Sequence, residues 1–199
     1  MASIKQTVKA AESIIFGNEG GYRSINPNDN GAVSIGKLQW HGSRALELMR
    51  KICSEIGKKQ SMLTLGPILY SEIMSPKTKW TTKKFNFLET RLVANILGTT
   101  TGKKIQDKLT SDDVLEYITT GMKCGCTNCG TLIYLADAFN QYGIYSDKWR
   151  NLAKSVGTDD VNKAFNLTTE NPQLFKHRTR RIMVYSAVKK LNISQETIK

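Results

Sequence analysis

Histidine is scarce in this chain, which has only His41 and His177 among its 199 residues. A Ser-His-Asp centre, or a zinc centre built from several histidines, therefore has little material available. This scarcity argues against an amidase that binds its metal through two histidines and a cysteine.

Long apolar runs are missing as well. No run approaches the roughly 20 residues that a membrane-spanning helix needs. The first residues, Met-Ala-Ser-Ile-Lys-Gln-Thr, lack the apolar core of a signal peptide. The sequence predicts a chain made in the cytoplasm without a signal peptide and without membrane insertion.

Proline is also rare, and the chain has no linker-like change of composition and no internal repeat. The four prolines, at positions 27, 67, 76 and 172, mostly fall in short breaks between helix-like runs. With 40% hydrophobic residues, the chain is long enough to bury an ordinary core. We predict one domain over residues 1–199, able to divide into two lobes around a cleft.

Helical periodicity dominates the apolar pattern. It predicts ten helices, at residues 2–17, 42–57, 64–74, 85–97, 101–108, 111–120, 129–142, 146–154, 159–166 and 171–191. A small β element should follow the first helix, because the turn-rich stretch Asn26–Gly31 precedes alternating apolar residues. The predicted class is α+β, mostly helical.

Glu19 is the carboxylate that the pattern singles out. The first helix should end near Gly17, which places Glu19 at or just beyond its C-terminus, followed by two glycines. A carboxyl group in this position can face a cleft. The predicted order is thus helix, acid and small sheet.

Residues 12–42 carry a resemblance to peptidoglycan-cleaving enzymes. Glu19 and Asp29 fall on the catalytic Glu and Asp of coliphage-type lysozymes, and Ser34-Ile35-Gly36 on their Thr-Ile-Gly, with an Asp-to-Ser interval one residue shorter. Soluble lytic transglycosylases give a partial second match, in which Lys37-Leu38 replaces a Leu-Met pair. The matching positions there are Glu19, Gly31-Ala32, Gly36 and Gln39.

Three later segments, Gly102–Asp107, Leu135–Gly143 and Arg178–Tyr185, resemble helices of clostridial and related endolysins. The chain thus resembles the lysozyme-like superfamily, and in particular endolysin catalytic domains of phages that infect Gram-positive bacteria. The resemblance implies a lysozyme-like fold with a small β-sheet lobe beside a helical lobe. It also implies hydrolysis of the β-1,4 glycosidic bonds of peptidoglycan, without a cofactor.

Such a reaction needs a protonated acid at the leaving oxygen, a role that falls to Glu19. An apolar environment raises the pKa of such an acid, and Phe16 and Tyr22 can supply one. Asp29 is the candidate second carboxylate, positioning water. A lytic transglycosylase needs no such carboxylate and forms a 1,6-anhydro product instead. Asp29 would then be a turn residue bonded to its own backbone.

The substrate-binding candidates are inferred from the same resemblance. Ser34 matches the position that helps to hold the water, and Gln39 can donate to an acetamido group or a sugar hydroxyl. Both can equally be the polar face of a half-buried strand. The remaining candidates for the sugar site are Tyr22, Gly36, Trp40 and His41, with His41 orienting rather than catalytic.

The charge is strongly positive, with 29 Lys and Arg against 17 Asp and Glu and a net charge of +12. This excess attracts polyanions in a salt-dependent manner. The anionic polymers of Gram-positive walls are one partner that this charge would attract. An endolysin would reach the wall after release by a holin or with a phage particle. Nucleic acid is the competing partner, through Lys83-Lys84, Lys103-Lys104 and Arg178–Arg181, but no known nucleic-acid-reading motif accompanies the charge.

Cys124, Cys126 and Cys129 form a tight C-x-C-x-x-C cluster between two helical runs, and Cys53 is the only other cysteine. Three states fit this spacing: unligated thiols in a helix-capping loop, a disulfide formed after release, or a zinc site completed by Cys53.

Overall fold

The computed structural model describes residues 1–198, which form ten α-helices and one three-stranded antiparallel sheet. The helices are α1 (Ile4–Glu19), α2 (Ser43–Ile56), α3 (Lys58–Leu65), α4 (Pro67–Met74), α5 (Phe87–Leu97), α6 (Thr100–Lys123), α7 (Cys129–Tyr142), α8 (Asp147–Val156), α9 (Val161–Thr169) and α10 (Arg178–Lys189). The strands are β1 (Ile25–Asp29), β2 (Ala32–Ile35) and β3 (Trp40–His41), in the order β1-β2-β3. The predicted α+β, mostly helical class is confirmed.

Several predicted helix boundaries were wrong for identifiable reasons. The helices predicted at 101–108 and 111–120 are one continuous α6, because Thr110 and Ser111 have only modest helix penalties. The helix predicted at 64–74 is divided at Gly66, which has a φ of +77°. Pro67 then begins α4, at a position where its missing N–H costs nothing.

The chain forms two compact units. Unit 1 consists of residues 1–18 and 111–199, and unit 2 of residues 19–110. Glu19, the last residue of α1, is thus the first residue of unit 2. Within the part of the chain that the structure describes, no helix is long and apolar enough to cross a membrane.

Unit 2 contains the sheet and the helices α2 to α5. Helix α2 packs against β2, β3, α3 and α4, and α5 packs against β1 and α3. All four residues of β2 are buried, so this strand is part of the hydrophobic core. Every residue proposed from the sequence for catalysis or sugar binding lies in this unit.

Unit 1 is built around α7, whose residues Cys129–Phe139 are all buried. Helices α8, α9 and α10 pack against it. Asn128 begins α7 as its N-cap, and its side-chain oxygen accepts a hydrogen bond from the backbone N–H of Thr131.

Candidate active site

A tight hairpin joins β1 to β2. Asn30 and Gly31 have φ angles of +49° and +97°, and Asp29 pairs with Ala32 across the turn. Two central residues with positive φ are characteristic of a type I′ turn, for which Asn-Gly is a preferred sequence. The turn therefore places Asp29 at the very end of β1.

An irregularity in β1 reorients the chain just before this carboxylate. Asn26 pairs with Ser34 and Asp29 pairs with Ala32, so two residues of β1 lie opposite one residue of β2. Such a bulge bends the strand, so that its side chains no longer point alternately to the two faces of the sheet.

Asp29 is held at three of its oxygen atoms. Its Oδ2 accepts a 2.7 Å hydrogen bond from Oγ of Ser34, and its Oδ1 accepts a 3.2 Å bond from Nδ2 of Asn30. Nε2 of His41 lies 2.9 Å from the backbone oxygen of Asp29. Since a carbonyl oxygen only accepts, His41 carries its proton on Nε2 in this arrangement. The Asp29 carboxylate is thus positioned by side chains and not by its own turn backbone.

Ser34 is completely buried, and its strand is buried throughout, so the alternative of a half-buried strand does not describe this residue. A buried hydroxyl whose donor points at a carboxylate fixes that carboxylate more rigidly than a solvated one.

Glu19 is half-buried and ends α1, two residues later than the sequence predicted. Gly20 follows with a φ of +134°, and a Cβ there would lie 2.6 Å from Oγ of Ser24. The same Oγ accepts a 2.8 Å hydrogen bond from the backbone N–H of Gly21. Glycine at position 20 therefore allows the sharp turn that follows Glu19 immediately.

Tyr22 belongs to a charged cluster that the sequence did not predict. The Tyr22 hydroxyl donates a 2.7 Å hydrogen bond to Oδ1 of Asp107, and Nζ of Lys37 lies 2.8 Å from the same atom. The Lys37 and Lys103 ammonium groups lie 5.4 and 5.8 Å from the centre of the Tyr22 ring. Hydrogen bonding to Asp107, followed by burial and the carboxylate charge, raises the pKa of Tyr22 to about 12.

Gln39 stabilises its own turn. Its φ is +52°, and its Nε2 donates to the backbone oxygens of Gly36 and Ser24, at 3.0 and 3.4 Å. Both N–H groups of the amide are therefore occupied. The predicted donation from Gln39 to a sugar has no geometric support.

Gly36 lies beside a buried amide. Its φ is +75°, and a Cβ there would lie 2.5 Å from Oε1 of Gln106 and 3.2 Å from Cζ3 of Trp40. Oε1 of Gln106 accepts a 2.9 Å hydrogen bond from the backbone N–H of Lys37. Nε2 of Gln106 donates to the backbone oxygens of Leu97 and Gly102. This single buried side chain links the turn after β2 to the end of α5 and the start of α6.

Trp40 and His41 differ strongly in exposure. Only 4% of Trp40 is accessible, so its ring offers almost no face to a saccharide and instead packs beneath Gly36. His41 is exposed. Burial therefore removes geometric support for the sugar contact of Trp40, whereas the sugar contact of His41 stays a prediction.

A loop between α4 and α5 holds the hairpin in place. The backbone N–H of Val33 donates to the carbonyl oxygen of Lys83, at 2.7 Å. The Lys83 ammonium bridges Glu72 and Glu89, at 3.0 and 2.7 Å. Lys83 thus connects the hairpin to two helices, and this ammonium is engaged by carboxylates and not presented to a phosphate.

The basic segment at the start of α10 also has an internal partner. Asp137, completely buried on α7, accepts hydrogen bonds from Arg180 and Arg181. Arg181 is completely buried as well, with its guanidinium carbon 5.5 Å from the centre of the Trp149 ring. The possible phosphate contact of the Arg178–Arg181 segment therefore has no geometric support at Arg181, which is buried against Asp137.

All four cysteines are buried free thiols. Sγ of Cys126 donates to the backbone oxygen of Ala153, and Sγ of Cys129 accepts from the Thr7 hydroxyl. Burial raises the pKa of Cys126 to about 12. Among residues 1–198, no three Cys, His, Asp or Glu side chains are grouped as metal ligands, so the geometry does not support the zinc alternative.

Sequence reasoning missed the contributions of Gln106, Asp107 and Lys37. Gln106 and Asp107 do fall in the Gly102–Asp107 segment that carried part of the family resemblance. That segment predicted a helix but not its polar contacts, because contacts across some 70 positions leave no local pattern.

No protein-family model matches the chain, and neither the curated proteins nor the solved structures gave a significant match.

Proposed function

We propose that this protein is a phage-type endolysin that hydrolyses β-1,4 glycosidic bonds of peptidoglycan, with Glu19 as general acid and Asp29 as the carboxylate that positions water. The observation that supports it best is the Asp29 carboxylate, oriented by the buried Ser34 hydroxyl at 2.7 Å at the end of a strand. A carboxylate that positions water must itself be held in a fixed direction.

The position of Glu19 supports the acid role. It ends a helix and is followed at once by a glycine turn. Cleavage of the glycosidic bond needs an acid at the leaving oxygen, and a carboxyl group at such a turn can face a cleft that holds the sugar. Water held by Asp29 then attacks the sugar from the opposite face, which inverts the anomeric centre.

The contacts of Asp29 favour hydrolysis over formation of an anhydro ring. A turn residue would hold its own backbone, whereas this carboxylate accepts hydrogen bonds from Ser34 and Asn30. Nucleic-acid binding is less favoured, because Lys83, Arg180 and Arg181 already pair with carboxylates.

The test is mass spectrometry of fragments released from purified Gram-positive peptidoglycan. We expect reducing sugar ends from the native protein and from Glu12→Gln, a control on the same helix. Glu19→Gln and Asp29→Asn should release almost nothing while remaining folded. If the fragments carry anhydro ends and Asp29→Asn remains active, the reaction is transglycosylation and not hydrolysis. Full activity of Glu19→Gln would overturn the site.

A further inference from the structure

Unit 1 contains a surface pocket that the proposed reaction does not use. Its volume is about 390 Å³, within the range of about 300–1,000 Å³ typical of small-molecule sites. One face of α6, the segment between α7 and α8, and Arg150 of α8 line it.

The charges along this pocket are separated by sign. Asp112 and Glu116 lie one helical turn apart on the lining face of α6, and Lys123 lies further along the same face. At 1.5 Å per residue, Glu116 and Lys123 are about 10 Å apart along the helix axis. Arg150 adds a second cation to the lining. The pocket therefore offers carboxylates at one end of its α6 face and a cation at the other.

Apolar surface completes the lining. Tyr145 is 81% exposed and Leu115 is 45% exposed, although both are large and hydrophobic. Nε of Arg150 is shielded from solvent and has no hydrogen-bond partner among the described residues. A ligand acceptor in the pocket would therefore meet the other N–H groups of the Arg150 guanidinium and not this shielded Nε.

We infer that this pocket binds a short amphoteric peptide, with its amine at Asp112 and Glu116 and its terminal carboxylate at Lys123 and Arg150. A guanidinium matches a carboxylate in geometry and charge. The mixed charge disfavours the simpler ligands: the two carboxylates repel a polyanion, and the two cations repel a polyamine. Small apolar side chains between the two ends pack against Leu115 and Tyr145.

Peptidoglycan stem peptides belong to this chemical class, and naming them as the natural ligand rests on the proposed function. The pocket would then retain the chain on its substrate through the peptide, whereas Glu19 and Asp29 act on the sugar. Peptide binding and sugar cleavage can be measured separately, so either can fail alone.

The test uses the full chain and the peptide N-acetyl-L-lysyl-D-alanyl-D-alanine, which has one amine and one carboxylate. Titration followed by amide NMR should give saturable shifts at the pocket face of α6 and at Ile144 and Tyr145. Acetylation of the lysine amine, or amidation of the C-terminus, should each weaken binding about tenfold, the effect of losing one charge-assisted contact.

Variants test the same contacts from the protein side. Glu116→Gln and Lys123→Met, both at exposed positions, should each weaken binding about tenfold, and Arg150→Met at least as much. Glu170→Gln, an exposed carboxylate outside the pocket, is the matched control and should bind normally. The inference is overturned if the native chain shows no saturable shifts, if the blocked peptides bind equally well, or if Glu116→Gln and Lys123→Met bind like the control.

Discussion

Oγ of Ser34 donates a 2.7 Å hydrogen bond to Oδ2 of Asp29, across a hairpin whose bulge brings these two side chains together. Ser34 is completely buried, so its hydroxyl has no access to bulk water as an alternative partner. The relationship gives the Asp29 carboxylate a fixed orientation, which its position in an Asn-Asp-Asn-Gly turn does not by itself provide.

Ser34→Ala tests whether that orientation serves catalysis. Under the proposed function, kcat on peptidoglycan should fall about ten- to a hundredfold with little change in KM, because one hydrogen bond to a charged group is lost. Thermal unfolding of the same variant reports any loss of fold. An unchanged kcat would mean that this hydrogen bond only satisfies the buried Ser34 hydroxyl and plays no part in catalysis.

Gly36 and Gly31 form a matched pair for stability. Both have positive φ, but a Cβ at Gly31 meets nothing within 4 Å, whereas one at Gly36 would collide with Oε1 of Gln106. Gly31→Ala should cost about 1 kcal/mol of unfolding free energy, from backbone strain alone. Gly36→Ala should cost about 2–4 kcal/mol, because the Gln106 bond to Lys37 is disturbed as well. Urea unfolding of both variants gives the difference, and equal costs would contradict the steric role of Gln106.

Asp137 should be far more sensitive than its partner Arg180. Asp137→Asn leaves the buried Arg181 guanidinium without its counter-charge, at a cost of about 3–5 kcal/mol, which corresponds to a fall in Tm of about 6–20 °C. Arg180→Met should lower the free energy of unfolding clearly less, because Arg180 is partly exposed and Asp137 remains paired with Arg181. Calorimetry decides the order, and a larger loss in Arg180→Met would be inconsistent with this network.

Tyr22 should make stability depend on pH in the alkaline range. Its pKa is raised from an ordinary 10.0 to about 12, so folding favours the protonated phenol. This contribution is complete below pH 10 and is lost as pH rises toward 12. Phenolate absorbance of the native chain minus that of Tyr22→Phe isolates the titration. Asp107→Asn should move it to lower pH, and an unshifted curve would show that Asp107 is not the cause.

The sequence predicted well those features that depend on neighbouring residues. The Asn30-Gly31 turn, the helix before Glu19 and the β element after it are all local patterns, and all are present. What it missed depends on distant contacts. Nothing near Arg181 indicates burial, since its partner Asp137 lies 44 positions away. Trp40 was predicted to contact the sugar, but its ring is buried because it packs at Gly36, which is not adjacent to it in sequence.

The four buried thiols provide built-in reporters of local opening. Cys53 belongs to unit 2, whereas Cys124, Cys126 and Cys129 belong to unit 1. Because a protected thiol reacts with an alkylating reagent only when its surroundings open, the labelling rate at each cysteine measures how often that unit unfolds. Peptide mapping of a timed labelling reaction would therefore yield a separate opening free energy for each unit from one native protein, without any engineered probe.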